Sequence, residues 1–133
     1  MLRARIKSFY IYDEIYKASI WVIVCKDKDG AISYMKKKYN LNLPKGRMGE
    51  GCTWTIEYDG CVIWMPKFTR TAKWLSVLNH ELFHVISFIL RDRAKIPLSK
   101  KSEEAYCYYF EAMSKQIIEE LLKSYSINKT RNK

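Results

Sequence analysis

A helical pattern over residues 71–91 constrains the fold of this chain more than any other feature of its sequence. Apolar side chains recur there at intervals of three and four residues, the spacing of one buried face of an α-helix. Thr71 can cap the start of this helix, and basic residues followed by Pro97 mark its end. Because such a helix is stabilised mainly by packing its apolar face, the rest of the chain must supply a partner. The face consists of Trp74, Leu75, Leu78, Leu82, Val85, Ile86 and Ile89.

Segments rich in β-branched and aromatic residues predict a small sheet as that partner. Residues 19–25 form a nearly continuous apolar run that suits a buried strand, and residues from Phe9 onward leave room for another strand before it. Residues 53–58 and 61–67 are two more β-prone runs. They flank Asp59-Gly60, which is the strongest short signal for a hairpin.

Two further helices complete the predicted order of strand, helix, hairpin, helix and helix. The first covers residues 31–39, follows a turn or helix start at residues 27–30 and carries a basic face. The last begins near Ser102 and ends near Ser124. Without a repeat or linker, residues 1–127 are predicted to form one α+β domain, followed by a disordered basic tail at 128–133. The core stripe of the last helix is predicted to be Tyr106, Phe110, Met113, Ile117 and Leu121.

The helix over residues 71–91 contains a pattern with chemical meaning, His80-Glu81-Leu82-Phe83-His84. Histidines four residues apart project from one helical face, so both imidazoles can bind the same zinc ion. Glu81 lies beside that face and can accept a proton from water activated by the metal. These are the only 2 histidines of the chain, which makes a chance arrangement less plausible. The alternative is a pair of ordinary histidines on an apolar helix.

A catalytic zinc ion commonly has three protein ligands and one open position. Since no third histidine exists, the third ligand is predicted to be a carboxylate of the last helix: Glu103, Glu104 or Glu111. Helical geometry aligns Glu103 with the apolar stripe, so burial favours Glu103. Glu104 lies at the first turn instead, where a side chain can reach sideways into a cleft. The residues alone leave this choice open.

Residues 71–122 resemble the glutamate zincins. The resemblance rests on His80-Glu81-Leu82-Phe83-His84 and, about twenty residues later, on Glu104-Ala105-Tyr106-Cys107-Tyr108-Tyr109-Phe110. It is closest to compact phage and bacterial zinc peptidase-like proteins, and more distant to peptidases that cleave phage-type repressors. These families place the ligand glutamate three residues before a small residue, which implies Glu104, although Cys107 replaces the usual alanine. The first motif is a specific match to these families, and the second matches them only loosely.

The resemblance implies a zincin-like fold in which the sheet packs against the motif helix and the last helix completes the metal site. It implies a zinc-dependent peptidase with His80, His84 and Glu104 as ligands and Glu81 as general base. It also implies that a protein or peptide substrate pairs with an edge strand, for which residues 61–66 are the first choice; the alternative is that both hairpin strands are internal. The alternative function is a catalytically inactive zincin-like protein that binds a protein or nucleic acid.

Composition bears on location and partners. The cysteines Cys25, Cys52, Cys61 and Cys107 lack zinc-site spacing and suit free thiols of a reducing cytoplasm, with a Cys52–Cys61 disulfide as the less favoured alternative. No apolar run is long enough to span a membrane, so no membrane partner is expected. The net charge of +10 is compatible with nucleic acid, but a solvated helix face is favoured over phosphate binding. The residues considered for nucleic acid are Lys36, Lys37, Lys38, Lys45, Arg47, Trp54 and Trp64.

Overall fold

The computed structural model describes residues 6–45, 49–56 and 59–131. Its four-stranded sheet comprises β1 (Lys7–Asp13), β2 (Ala18–Val24), β3 (Cys52–Ile56) and β4 (Gly60–Met65), in the spatial order β1-β2-β4-β3. The helices are α1 (Lys28–Tyr39), α2 (Ala72–Ser87) and α3 (Glu103–Arg131), and a π-helical segment, Phe88–Arg93, continues α2. The predicted α+β class is confirmed.

The sheet is covered on both faces. Ile20, Val22 and Ile63 contribute to a core shared with α2 and α3, whereas Ile23 and Val62 contribute to a core shared with α1. Alternating side chains of β2 and β4 therefore enter different cores. This explains why the predicted buried strand reads as a continuous apolar run rather than as an alternation.

The predicted hairpin is confirmed as the antiparallel pair β3 and β4. Ile56 pairs with Gly60, so residues 57–59 connect the strands and Gly60 is the first residue of β4. Gly60 has φ +145°, and a Cβ atom there would overlap the carbonyl oxygen of Ser19. A glycine is therefore required where β4 begins beside β2. Residues 57 and 58, the end of the predicted strand 53–58, lie outside the described residues.

The choice of residues 61–66 as the edge strand is wrong. β4 lies between β2, its parallel neighbour, and β3, its antiparallel neighbour, and every residue of β4 is buried. The free edges of the sheet belong to β1 and β3. Local sequence pointed to the wrong strand of the hairpin because the pairing of β4 with β2 joins segments separated by the whole of α1.

The helices agree with the predicted order and differ at their ends. Thr71 precedes α2 as predicted, but its side chain makes no capping hydrogen bond; the Asp27 side chain caps α1 by accepting bonds from the backbone N–H groups of Asp29 and Gly30. α3 passes the predicted end near Ser124 and continues to Arg131, so it enters the segment 128–133 that was predicted as a disordered tail. Residues 132–133 of that segment lie outside the described residues. Tyr109 joins the predicted core stripe, in which Phe110 is partly buried; the Tyr109 hydroxyl donates a hydrogen bond to the buried Asp13 carboxylate, at 2.7 Å.

The two tryptophans considered for base stacking are not available for it. Trp54 and Trp64 are only 6% and 5% exposed. Their indole N–H groups donate to the backbone oxygens of Pro44 and Cys25, each at 2.9 Å. These side chains belong to the core between the sheet and α1. Arg47 of the predicted basic cluster lies outside the described residues.

The cysteines are free thiols, as favoured from the sequence. The alternative Cys52–Cys61 disulfide is wrong, because Cys52 faces Trp64 in the hairpin register and Cys61 faces Thr55. The two thiols also lie in different cores, on opposite faces of the sheet. Within the described ranges, none of the helices is long and apolar enough to cross a membrane.

Candidate metal centre

The two histidines lie one turn apart on the exposed face of α2. Leu78, Leu82 and Val85 turn the opposite face of this helix into the core, which leaves His80 and His84 outside it. Their Nε2 atoms lie 3.4 Å apart, and their rings meet edge to face at 78°. The sequence spacing therefore produces a convergent pair of imidazoles.

The separation of these nitrogens fits zinc. Zinc–nitrogen bonds of about 2.0 to 2.1 Å at a tetrahedral angle place two ligand nitrogens about 3.3 to 3.4 Å apart. The observed Nε2 to Nε2 distance is 3.4 Å. Imidazole is also a donor that zinc prefers. On distance and donor chemistry, His80 and His84 can hold zinc in the side-chain positions that they already have.

Glu81 lies beneath the histidine pair with its carboxylate almost fully buried. The residue is 6% exposed, and its Oε1 accepts a hydrogen bond of 2.9 Å from the Thr53 hydroxyl. Its other oxygen, Oε2, is 3.9 Å from Nε2 of His80. One carboxylate oxygen is thus held by β3, while the other lies on the side of the histidines. Sequence reasoning identified Glu81 but missed Thr53, since nothing in the helical motif indicates which strand residue faces it.

Gly51 allows the chain before β3 to pass directly over Glu81. A Cβ atom at this position would lie 3.0 Å from Cγ1 of Val77 and 3.1 Å from Cγ of Glu81, both tighter than ordinary contacts. The structure assigns Gly51 a packing role against the buried carboxylate.

A cleft of about 1030 Å³ runs between β3 and α2, with the histidine pair and Glu81 in its lining. Four consecutive residues of β3, from Cys52 to Thr55, form one wall. Each end carries an ion pair, between Lys73 and Glu50 at 3.4 Å and between Arg91 and Asp92 at 3.0 Å. Because β3 is an edge strand, this wall offers backbone groups that no neighbouring strand of the sheet occupies.

None of the candidate third ligands is grouped with this pair in the part of the chain that the structure describes. Glu103, Glu104 and Glu111 are exposed on the first turns of α3, and the lining of the cleft includes no described residue of that helix. In the ranges 6–45, 49–56 and 59–131, no three His, Cys, Asp or Glu side chains form a group able to hold a metal ion. The structure therefore brings His80, His84 and Glu81 together, and Glu104 stays a prediction.

Comparisons with known proteins add no relative to this description. No family model matches the sequence, and neither a curated protein nor a solved structure matches it.

Proposed function

We propose that this chain is a zinc-dependent peptidase with a zincin-like fold. His80 and His84 bind the metal, Glu104 is the third ligand implied by the resemblance, and Glu81 is the general base. The observation that carries the proposal is the pair of Nε2 atoms 3.4 Å apart, next to a buried carboxylate, in the wall of an open cleft.

Each side chain of the cleft has a distinct role in this proposal. When bound, zinc supplies a Lewis acid that polarises a peptide carbonyl and makes water acidic enough to lose a proton near neutral pH. Glu81 receives that proton on Oε2, the oxygen that Thr53 does not hold, and delivers it to the leaving amine. The hydrogen bond from Thr53 fixes the carboxylate plane and keeps Oε2 on the side of the histidines.

The substrate in this proposal is an extended segment of a cytoplasmic protein or peptide. Such a segment can add to the free edge of β3 by backbone hydrogen bonds and then passes over His80 and His84. The volume of about 1030 Å³ accommodates several residues of an extended chain. The wall of the cleft is thus β3, not the strand expected from the sequence.

A second candidate function is favoured by the incomplete ligand set. Among the described residues, no three His, Cys, Asp or Glu side chains are grouped around one metal position, so the Glu104 side chain has to turn towards the histidine pair to complete a three-ligand site. If it does not, the fold is that of an inactive zincin-like protein that binds a partner through the same cleft. The buried Glu81 argues for catalysis, since a noncatalytic site needs no base beside the metal.

The test combines zinc content with peptide cleavage, on protein purified without a histidine tag. Zinc per chain is measured by elemental mass spectrometry, and cleavage of a random decapeptide library is followed by mass spectrometry. We expect one zinc per chain in the natural protein and in Glu81→Gln, and none in His80→Ala. Of these three proteins, only the natural one is expected to cleave peptides.

Controls separate the two candidate functions. Glu119→Gln changes an exposed glutamate further along α3 and should retain both zinc and cleavage. Zinc binding that depends on His80, without cleavage of any library peptide, would favour the inactive binding protein. No zinc in the natural chain after incubation with the metal would overturn the peptidase and favour a zincin-like binding protein that needs no metal.

A further inference from the structure

A second exposed surface lies at the β1 edge of the sheet, opposite the β3 edge that carries the cleft. We define the tyrosine surface as Tyr10 and Tyr12 of β1 with Tyr34, Lys38 and Tyr39 of α1. Tyr10 is 58% exposed and Tyr12 is 51% exposed. Two large aromatic rings of one strand are therefore open to solvent.

The alternation of β1 explains this exposure. Phe9 and Ile11 point into the core under α2 and α3, so Tyr10 and Tyr12 project from the opposite face. That face is the one on which α1 packs, but α1 covers mainly the inner strands and reaches β1 only at its margin. Residues two apart on a strand lie about 7 Å from each other, so the two rings are neighbours.

The α1 side of the tyrosine surface is organised by contacts between rings and a lysine. The Tyr39 ring centroid lies 6.4 Å from that of Tyr10, with the planes at 82°. Nζ of Lys38 donates to the Tyr34 hydroxyl at 2.9 Å and lies 5.4 Å from the Tyr39 ring centroid. This hydrogen bond to Tyr34 raises the pKa of Lys38, so its positive charge is retained beside the rings.

The charge around the tyrosine surface selects an anionic partner. Of the three lysines in the last turn of α1, Lys38 lies among the rings of this surface, and the whole chain has a net charge of +10. Charge alone would favour any polyanion, including duplex DNA and acidic proteins. Exposed aromatic rings add a preference for unpaired bases, because only those present a free face for stacking.

We propose that the tyrosine surface binds single-stranded nucleic acid, with bases stacked on Tyr10 and Tyr12 and a phosphate held by Lys38. The sequence-based alternative of nucleic-acid binding relied on Trp54 and Trp64 for base stacking. Lys38 is common to both, but the stacking residues are here the tyrosines of the opposite edge strand. The proposal does not depend on zinc or on peptidase activity.

The first experiment measures fluorescence anisotropy of a fluorescein-labelled 12-nucleotide oligo(dT) and of oligo(U). The variant Tyr10→Leu with Tyr12→Leu keeps apolar side chains but removes the rings, and should weaken binding about 5- to 150-fold for each base that loses its stack. Tyr10→Phe with Tyr12→Phe keeps the rings and should bind like the natural chain. Tyr108→Leu removes a tyrosine that is 67% exposed on α3 and serves as the matched control.

The second experiment measures the salt dependence of the same binding. Lys38→Gln should reduce the slope of log K against log salt by about 0.7 for a single strand, whereas Lys101→Gln, in the exposed loop before α3, should not. EDTA and Glu81→Gln should leave affinity unchanged, which separates this proposal from that of the peptidase. Equal affinity for duplex DNA or heparin, or full affinity in the leucine variant, would overturn it in favour of simple polyanion binding. No binding at low salt would also overturn it.

Discussion

Gly51 shows how a residue outside the motif can control its carboxylate. In Gly51→Ala the new methyl group must displace Val77 or Glu81, which lie 3.0 and 3.1 Å from its position. We expect this overpacking to lower the free energy of unfolding by about 1 to 3 kcal/mol. Urea denaturation followed by circular dichroism measures the change.

Gly30→Ala is the matched control for that substitution. Gly30 lies in the first turn of α1, where a Cβ atom would have its nearest neighbours at 3.7 Å, an ordinary contact. Alanine there should be neutral or should stabilise the helix by up to about 1 kcal/mol. Equal losses of stability in both variants would contradict the packing role assigned to Gly51.

The buried thiol of Cys61 should lower the free energy of unfolding in alkaline solution. Burial raises the pKa of its thiol from 9.0 to about 12. Between these values the unfolded chain has lost the thiol proton while the folded chain keeps it, so the free energy of unfolding falls as pH rises. The expected slope from this group is about 1.4 kcal/mol per pH unit above pH 9.

Denaturation midpoints between pH 8 and 10.5 test this assignment. Cys61→Ala should show a flatter decline than the natural chain, whatever its stability at pH 8. Cys107→Ala replaces an exposed cysteine and should keep the natural decline. An unchanged decline in Cys61→Ala would show that other groups cause the alkaline loss.

At the level of elements, local signals predicted the helices and the hairpin well. Asp59-Gly60 located the hairpin, and Thr71 located the start of α2, because turn and cap residues act within a few positions of themselves. The parallel pairing of β2 with β4 joins segments about forty residues apart and has no local signature. It made β3 the edge strand and placed Thr53 next to Glu81, two features of the candidate site that the sequence did not reveal.

The exposed tyrosines show a second feature that local sequence does not predict, the exposure of aromatic side chains. Trp54 and Tyr10 are both aromatic residues of edge strands, yet Trp54 is 6% exposed and Tyr10 is 58% exposed. The difference arises because α1 covers the inner strands and Trp54 but reaches β1 only at its margin. Composition cannot show which aromatic residues a helix will cover.

The role of α3 can be tested along its length with Glu103→Gln, Glu104→Gln and Glu111→Gln. Each substitution removes the charge of one exposed carboxylate and leaves a similar shape. If Glu104 is the third ligand, its variant alone should weaken zinc binding by more than tenfold, measured by competition with a chromogenic chelator. Glu103 lies about 100° around the helix from Glu104, whereas Glu111 lies two turns further on nearly the same face.

A loss of zinc affinity confined to Glu111→Gln would identify Glu111, two turns along α3, as the ligand. A loss confined to Glu103→Gln would identify Glu103 on the neighbouring face. Equal zinc affinity in all three variants would contradict a ligand from this helix. In that case the histidine pair would hold zinc without α3, as expected for the inactive binding protein.

Across the whole molecule, the sheet separates the two proposed sites, which need different chemistry. The cleft lies on the α2 side at the β3 edge, and the tyrosine surface lies on the α1 side at the β1 edge. The two inner strands, β2 and β4, lie between these edges and contribute to both cores, so the effects of substitutions at the two edges should be additive. A peptidase with such a second surface would act on proteins held near single-stranded nucleic acid.

Zinc should stabilise the whole chain if its binding site belongs to the folded state. A ligand bound only by the folded chain, at a hundredfold excess over its dissociation constant, adds about 2.7 kcal/mol to the free energy of unfolding. For a domain of this size the melting temperature should rise by roughly 10 °C, measured by differential scanning calorimetry in zinc and in EDTA. Glu81→Gln should keep this rise, and His80→Ala with His84→Ala should abolish it. Because Cys107 is an exposed thiol, a rise that survives in the double histidine variant but disappears in Cys107→Ala would instead place the zinc at that cysteine.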